Sequence, residues 1–220
     1  DAGETERHGF SHSRVTEYAG ADWERTVVWL KEEKALVALD RLTARETNDY
    51  QFRILWHGVG DATLDENGLL LAQEGPAMRI QLAPGPELSL YNDHELGANW
   101  SKYPHAEPVV RSLSAIAKTR LEAGETYLAV SALHAAPEGN PPVWRMQVAE
   151  GGAGAVLDTG TARIAVGVDG SVRDTEAQVV AAGRATTTAR TEAPAHTVAW
   201  QLPLEEPADI TRLASAPLDG

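Results

Sequence analysis

The chain has 220 residues, no cysteine, and a formal net charge of −13, from 19 Lys and Arg against 32 Asp and Glu. Without cysteine, neither a disulfide framework nor a thiolate metal site is available. An acidic chain with no basic stripe repels nucleic acid and anionic lipid, and no apolar run approaches the roughly 18 residues of a membrane span. We therefore expect no nucleic-acid partner and no membrane partner.

The first quarter of the chain is predicted to be antiparallel strands. Residues 1–9 are expected to be a polar, solvated lead-in, and residues 10–19 a first strand. Two apolar runs follow, joined by the charged turn Lys31–Lys34, which predicts a hairpin. Consecutive β-branched residues at 26–28 favour strand over helix in the first of these runs.

Residues 48–84 carry the clearest strand signal of the chain. Apart from Leu55, a polar face alternates with an apolar one, as is typical of a half-buried strand. The two faces are Tyr50, Phe52, Ile54 and Trp56 against Gln51, Arg53, Leu55 and His57. A reversal through residues 58–68 is predicted to lead into strands over 69–73 and 77–83.

The remaining segments continue the β pattern. Residues 88–91 fit a short strand, residues 109–120 fit a strand or a short helix with strand favoured, and residues 127–133 fit a strand buried on both faces. Beyond Pro142 lie short strand candidates, among which VDGSV at 168–172 predicts a tight hairpin.

Together these segments predict an all-β fold, an antiparallel β-sandwich. We expect a single domain over residues 10–208, with a candidate sub-boundary near 138–142. A tail or short surface helix is expected over residues 209–220.

The long loop that follows residues 88–91 is the best local candidate for a binding site. Aromatic faces suit the apolar side of a pyranose ring, and amide and cationic groups suit its hydroxyls. The candidate carbohydrate-binding residues are Tyr91, His94, Asn99, Trp100, Lys102, Tyr103 and His105. The alternative is that Trp100 and Tyr103 only pin the loop to the sheet. The His94 and His105 spacing matches no recognised zinc pattern, so we expect neither metal nor cofactor.

Two blocks of the sequence resemble a known family. One has the spaced residues Tyr18, Trp23, Arg25, Asp40, Trp56 and His57, and the other comprises LLLAQEGPAMRIQLAP and LEAGETYLAVSALHA. This pattern, over about residues 10–137, resembles the carboxy-terminal β-sandwich module of heparinase II/III-like polysaccharide lyases. The resemblance implies a supersandwich-like fold.

Members of that family pair the sandwich with a helical toroid and cleave uronic-acid-containing polysaccharides by β-elimination. The resemblance implies that activity only where both parts are present. The 220 residues contain no toroid segment. They also lack the His-x-His, Asp-Pro-Gly and His-Asn-Thr segments that supply histidines and a metal site in relatives.

These observations leave three functional hypotheses. The first is a secreted or periplasmic bacterial module that binds polysaccharide, including uronic-acid types, or forms one wall of a substrate cleft. The second is part of an active polysaccharide lyase, a carbon–oxygen lyase, acting with a helical toroid domain or chain. The third is a purely structural module. No catalytic residue is assigned, and His57 is expected to be structural.

Overall fold

The computed structural model describes residues 1–73, 75–93, 110–175, 189–192 and 196–198. Apart from a short 3₁₀ turn at Glu150–Gly152, the regular structure of these residues is β-strand. The strands are β1 (Ala2–Glu4), β2 (His8–Tyr18), β3 (Ala21–Leu30), β4 (Ala35–Ala44), β5 (Asn48–Val59), β6 (Asp61–Asp65), β7 (Gly68–Ala72), β8 (Ala77–Leu82), β9 (Glu87–Asp93), β10 (Val110–Leu121), β11 (Thr126–Ala136), β12 (Arg145–Val148), β13 (Gly154–Asp158), β14 (Arg163–Gly167), β15 (Val172–Thr175), β16 (Ala189–Glu192) and β17 (His196–Val198). No helix within these described ranges is long and apolar enough to cross a membrane.

The strands form three antiparallel sheets. The largest has nine strands in the order β17-β1-β2-β3-β4-β11-β8-β7-β6. A three-stranded sheet has the order β5-β10-β9, and a five-stranded sheet the order β12-β13-β14-β15-β16. The predicted all-β, antiparallel β-sandwich is therefore confirmed.

The nine-stranded sheet is the middle layer, because its two faces bury two separate cores. On one face, Val28 and Val37 pack with Leu157 and Ile164 of the five-stranded sheet. This coverage explains why the middle of β11 is buried on both faces.

The second core lies between the nine-stranded and three-stranded sheets. Phe52, Ile54 and Leu113 of the three-stranded sheet pack against Leu69 and Ile80. The apolar face predicted for β5 points into this core, and the polar face points outward. The predicted alternation of β5 is confirmed.

Several local predictions are also confirmed. The hairpin around the turn at Lys31–Lys34 is β3 and β4, paired from Leu30 and Ala35 onward. The VDGSV segment links β14 to β15, where the Gly167 amide donates to the Ser171 carbonyl at 2.8 Å and Gly170 has φ +81°. Residues 110–121 form one strand, which settles the choice between strand and helix.

Two predictions about chain organisation are wrong in detail. The reversal between residues 58 and 68 contains an extra strand, β6, paired with β7. The predicted solvated lead-in instead includes β1, which pairs with β2 and β17 at the border of the largest sheet. Two polar groups of this segment also have nearby partners: the Thr5 hydroxyl accepts a hydrogen bond from the His8 amide, and Glu4 pairs with Lys31.

The predicted division into domains stays a prediction. The candidate sub-boundary at 138–142 coincides with the connection from β11 to β12, where the chain passes from the nine-stranded to the five-stranded sheet. These two sheets share one core. The predicted tail at 209–220 lies outside the described residues.

Candidate functional site

The first candidate site is the outer face, defined as the side of the three-stranded sheet that points away from the nine-stranded sheet. The strand register sets its side chains in two rows across β5, β10 and β9. These rows are His57–Ser112–Tyr91 and Leu55–Ser114–Ser89, and Arg53 stands next to them on β5.

Polar contacts hold the side chains of the outer face in place. His57 Nδ1 lies 2.7 Å from Ser112 Oγ, and Arg53 Nε donates to Ser114 Oγ at 2.9 Å. The Arg53 guanidinium lies 5.8 Å from the centre of the Tyr91 ring. Tyr91 is still 48% exposed, so part of its ring is open to a ligand.

This combination of groups suits a sugar. An exposed aromatic ring can pack against the C–H groups of a pyranose, and the exposed imidazole of His57 and guanidinium of Arg53 can bond its hydroxyls. Ser112 and Ser114 of the central strand β10 are buried, so the longer side chains of β5 and the Tyr91 ring of β9 form the accessible surface. The outer face therefore combines polar groups with an aromatic anchor and the exposed side chain of Leu55.

Of the seven residues predicted to bind carbohydrate, Tyr91 is on this face. The other six, which are His94, Asn99, Trp100, Lys102, Tyr103 and His105, lie outside the described residues. Strand β9 ends at Asp93 and β10 begins at Val110, and these two residues are paired. The segment 94–109 is thus attached at the end of the sheet where Tyr91 and His57 stand.

A second cluster involves the residues that carry the family resemblance. Asp40 is fully buried and accepts hydrogen bonds from Trp23 Nε1 at 3.0 Å, Arg25 Nε at 2.6 Å and Arg25 Nη2 at 3.0 Å. The Arg25 guanidinium lies 5.6 Å from the ring centres of both Trp23 and Trp56. These three hydrogen bonds offset the cost of burying the charge of Asp40 away from water.

The same cluster ties two layers together. The Trp56 indole of β5 donates to Ser131 Oγ of β11 at 3.1 Å, and Tyr18 lies 6.2 Å from Trp23 at the cluster's edge. Five of the six resemblance residues are therefore brought together. His57 is separate, because it belongs to the opposite face of β5, where it is exposed.

A pocket opens beside this cluster. Its volume is about 200 Å³, and it is lined by Ser13, Arg14, Val15, Trp23 and Arg25. Arg14 Nη2 donates to Asp22 Oδ2 at 2.6 Å. Hydrogen bonds from Arg45, the Glu17 amide and Arg14 hold the pKa of Asp22 well below its usual range, so this carboxyl stays ionised. Sequence reasoning missed this pocket, because it depends on pairing between β2 and β3.

The described residues offer no obvious metal site. Within that part of the chain, no group of three or more His, Asp and Glu side chains is placed to hold a metal ion. The predicted pair His94 and His105 lies outside it.

Among known proteins, the matches found are solved structures. No family model and no curated protein matches the chain. It is similar to heparan sulfate lyase HepC from Pedobacter heparinus, with a TM-score of 0.53 and 13% identity over 79% of this chain and 27% of that one. It is also similar to heparinase III, the BT4657 gene product, with a TM-score of 0.53 and 9% identity over 87% of this chain and 27% of that one. Another heparinase III structure gives a TM-score of 0.54 and 11% identity over 86% and 26%.

These similarities show a heparinase-like β-sandwich fold. The chain spans about a quarter of the length of the structures it matches. At this identity the similarity shows the fold alone, and the predicted resemblance is confirmed at that level.

Proposed function

We propose that this chain is a β-sandwich module of a polysaccharide-acting protein, which contributes glycan binding or one wall of a substrate cleft. The observation that carries the proposal is the exposed Tyr91 ring on the outer face, held next to the Arg53 guanidinium. The fold of polysaccharide lyases supports the ligand class.

The proposal includes the six other predicted residues of the segment 94–109. Tyr91 stands two residues before the end of β9, so a glycan bound on the outer face would lie next to this segment. His94, Asn99, Trp100, Lys102, Tyr103 and His105 would then add aromatic, amide and cationic groups to those of the sheet. A module with this role would act where polysaccharides are found, in a secreted or periplasmic setting.

The test is affinity electrophoresis of the chain in gels containing uronic-acid or neutral polysaccharides. We expect at least one polysaccharide to retard the wild type, and Tyr91→Ala to weaken the retardation about tenfold, because stacking of a ring on an aromatic contributes on the order of 1 kcal/mol or more. Val143→Ala is the matched control, since Val143 is as exposed as Tyr91 and lies between β11 and β12. A folded wild type that no polysaccharide retards contradicts the proposal.

A second candidate is part of an active lyase that cleaves uronic-acid glycans by β-elimination. The observation in its favour is the length of the matched lyases, of which this chain covers 26–28%. In that case a helical toroid domain or chain would complete the enzyme. Ultraviolet absorbance of the unsaturated uronate product, measured with and without such a partner, separates this function from glycan binding.

A purely structural module is the third candidate. The tight packing of Trp56 and Arg25 between two layers is what such a module requires. If alanine at both Trp100 and Tyr103 lowers the free energy of unfolding but leaves polysaccharide affinity unchanged, the structural role is favoured.

A further inference from the structure

The three-stranded sheet leaves one strip of the nine-stranded sheet uncovered. It reaches as far as β3, where the Phe52 ring lies 5.7 Å from the Trp23 ring. The Trp56 ring lies 5.6 Å from the Arg25 guanidinium of the same strand. On β2, the residues that pair with this face of β3 are exposed. We call the uncovered surface the shelf, and its residues are Ser11, Ser13 and Val15 of β2, Trp29 of β3 and Leu36 of β4.

Two large apolar side chains lie on the shelf. Trp29 and Leu36 are paired across β3 and β4, and each is 39% exposed. Because side chains alternate along a strand, Trp29 lies on the same face of β3 as Trp23 and Arg25, which is the face towards the three-stranded sheet. Neighbouring exposed apolar residues bordered by polar ones are typical of an interaction surface. The shelf therefore favours a partner with apolar side chains.

Strand β5 forms a wall beside the shelf, and its border on that side is open. The strand has 12 residues and, among the described strands, pairs with β10 alone. An unpaired border presents backbone N–H and C=O groups that can bond another strand. The contacts of Phe52 with Trp23 and of Trp56 with Arg25 show that β5 is the strand of its sheet that lies over β3. Together, the shelf and β5 form a groove with an apolar floor and a hydrogen-bonding wall.

A second copy of the chain does not fit this groove. Antiparallel pairing of two β5 strands about a two-fold axis would place both nine-stranded sheets on the same side of the joined sheet. Each nine-stranded sheet extends past β3 by the strands β2, β1 and β17, so the two shelves would collide. The groove therefore suits a single extended segment rather than the border of another sheet.

The chain itself contains such a segment. Residues 199–220 lie outside the described residues and follow β17, which is three strands from β3 in the same sheet. At about 4.8 Å between strands and about 3.3 Å per extended residue, roughly five residues span that distance. The segment has apolar residues at alternate positions, namely Trp200, Leu202 and Leu204. Pro203 between them lacks an N–H group, which a border strand tolerates.

Charge favours the same occupant. Arg53 of β5 and Lys118 of β10 are both exposed on the three-stranded sheet, and Arg53 bonds the neutral hydroxyl of Ser114. The alternating run of the segment ends in two carboxylates, Glu205 and Glu206. In a chain with a net charge of −13, a surface with these cations attracts an acidic segment that most of the molecule repels.

We propose that the groove binds the chain's own segment after Val198, with part of residues 199–206 added to β5 as a fourth strand of that sheet. Apolar side chains of the segment would cover Trp29 and Leu36, and its backbone would bond the open border of β5. This contact is independent of the proposed function, because it needs no glycan and uses the side of β5 that faces the shelf.

Hydrogen exchange of the β5 backbone amides, followed by NMR, tests the contact. Alternate amides of β5 point to β10, and these are an internal control for the amides that face the groove. The full chain is compared with a variant that ends at Val198. We expect the groove-facing amides to exchange at least about tenfold faster in the shortened chain, and a synthetic peptide of residues 199–220 to restore slow exchange.

Leu36→Asp and Val143→Asp form a matched pair in the full chain. Both side chains are exposed, at 39% and 48%, but Leu36 is on the shelf and Val143 lies between β11 and β12. We expect Leu36→Asp to speed exchange of the groove-facing amides as the deletion does, and Val143→Asp to change it less than twofold. Leu202→Asp and Leu213→Asp make the same comparison within the segment, with Leu213→Asp as the control.

Three results overturn the proposal. The groove-facing amides exchange equally fast in the full and shortened chains, Leu36→Asp and Val143→Asp act alike, or slow exchange depends on protein concentration, which assigns the groove to a second copy. If the shortened chain does not fold, the variants of the full chain decide, and equal exchange in Leu202→Asp and Leu213→Asp contradicts the contact.

Discussion

Asp40 shows how a single residue joins neighbouring strands of the nine-stranded sheet. Its carboxylate is fully buried and is satisfied by Trp23 and Arg25 together. The sequence pattern marked these three residues as related but assigned them no contacts, because pairing across β3 and β4 brings them together. Their spacing in the sequence reflects a stabilising network rather than chemistry at an open site.

We predict that Asp40→Asn lowers the free energy of unfolding by about 3 kcal/mol, measured by urea denaturation. Removing one member of a buried ion pair leaves the other poorly compensated, and the loss stays at the low end because Arg25 is partly exposed. Asp49→Asn is the control, since the Asp49–Arg120 pair lies on the surface and its loss is expected to be barely measurable. Equal effects of the two variants would contradict a special role for Asp40.

His134 gives the stability of the protein a pH dependence. Its ring is buried and stacks on Trp144 at 4.2 Å, and burial together with Arg79 lowers its pKa from 6.5 to about 4. The unfolded chain therefore binds a proton at a higher pH than the folded chain does. Stability is highest above pH 6.5 and is lost as the pH falls from there towards 4.

We predict that lowering the pH from 7 to 5 costs the wild type about 2 kcal/mol more in unfolding free energy than it costs His134→Phe. Phenylalanine retains an aromatic ring for Trp144 but cannot take up a proton. Denaturation curves at both pH values measure the difference. Parallel losses in the two proteins would show that His134 is not the group that titrates.

At the scale of elements, a strand was predictable where the residues that define it lie close together in the sequence. The β3–β4 hairpin was predictable because β-branched residues and a charged turn lie within a few positions of each other. Strand β6 was missed because Leu64 is its one large apolar residue, which gives a weak alternation, and its pairing with β7 decides its structure. Strand β1 was missed for the same reason.

The outer face shows the same difference between local and long-range signals. Alternation in β5 placed Arg53, Leu55 and His57 on one face correctly. The contribution of Ser112 and Ser114 could not be foreseen, because it depends on the register between β5 and β10, which lie more than fifty residues apart along the chain.

The start of β7 needs glycine. Gly68 has φ +154°, and a Cβ there would overlap the Ile80 carbonyl oxygen on the neighbouring strand β8. We predict that Gly68→Ala lowers the midpoint of urea denaturation more than Gly160→Ala does. Gly160 also has a positive φ, +87°, but nothing lies within 4 Å of its added Cβ, so its variant suffers backbone strain of about 1 kcal/mol without a clash. Equal midpoints would show that β7 and β8 separate easily.

At the scale of the whole molecule, two of the surfaces that the described residues form stand out as open to a ligand. The outer face of the three-stranded sheet carries Tyr91, and the pocket beside Trp23 opens where β2 and β3 pair. Strand β5 separates them, because its apolar side chains point into the core and its polar ones outward.

The central claim is that the outer face binds polysaccharide, and chemical-shift mapping tests it most directly. The isotopically labelled chain is titrated with fragments of the polysaccharide that retards it most strongly. The account predicts saturable shifts of the Tyr91, Ser112 and Ser114 amides, and their loss in Tyr91→Ala. Saturable binding that leaves these three amides unmoved would contradict it.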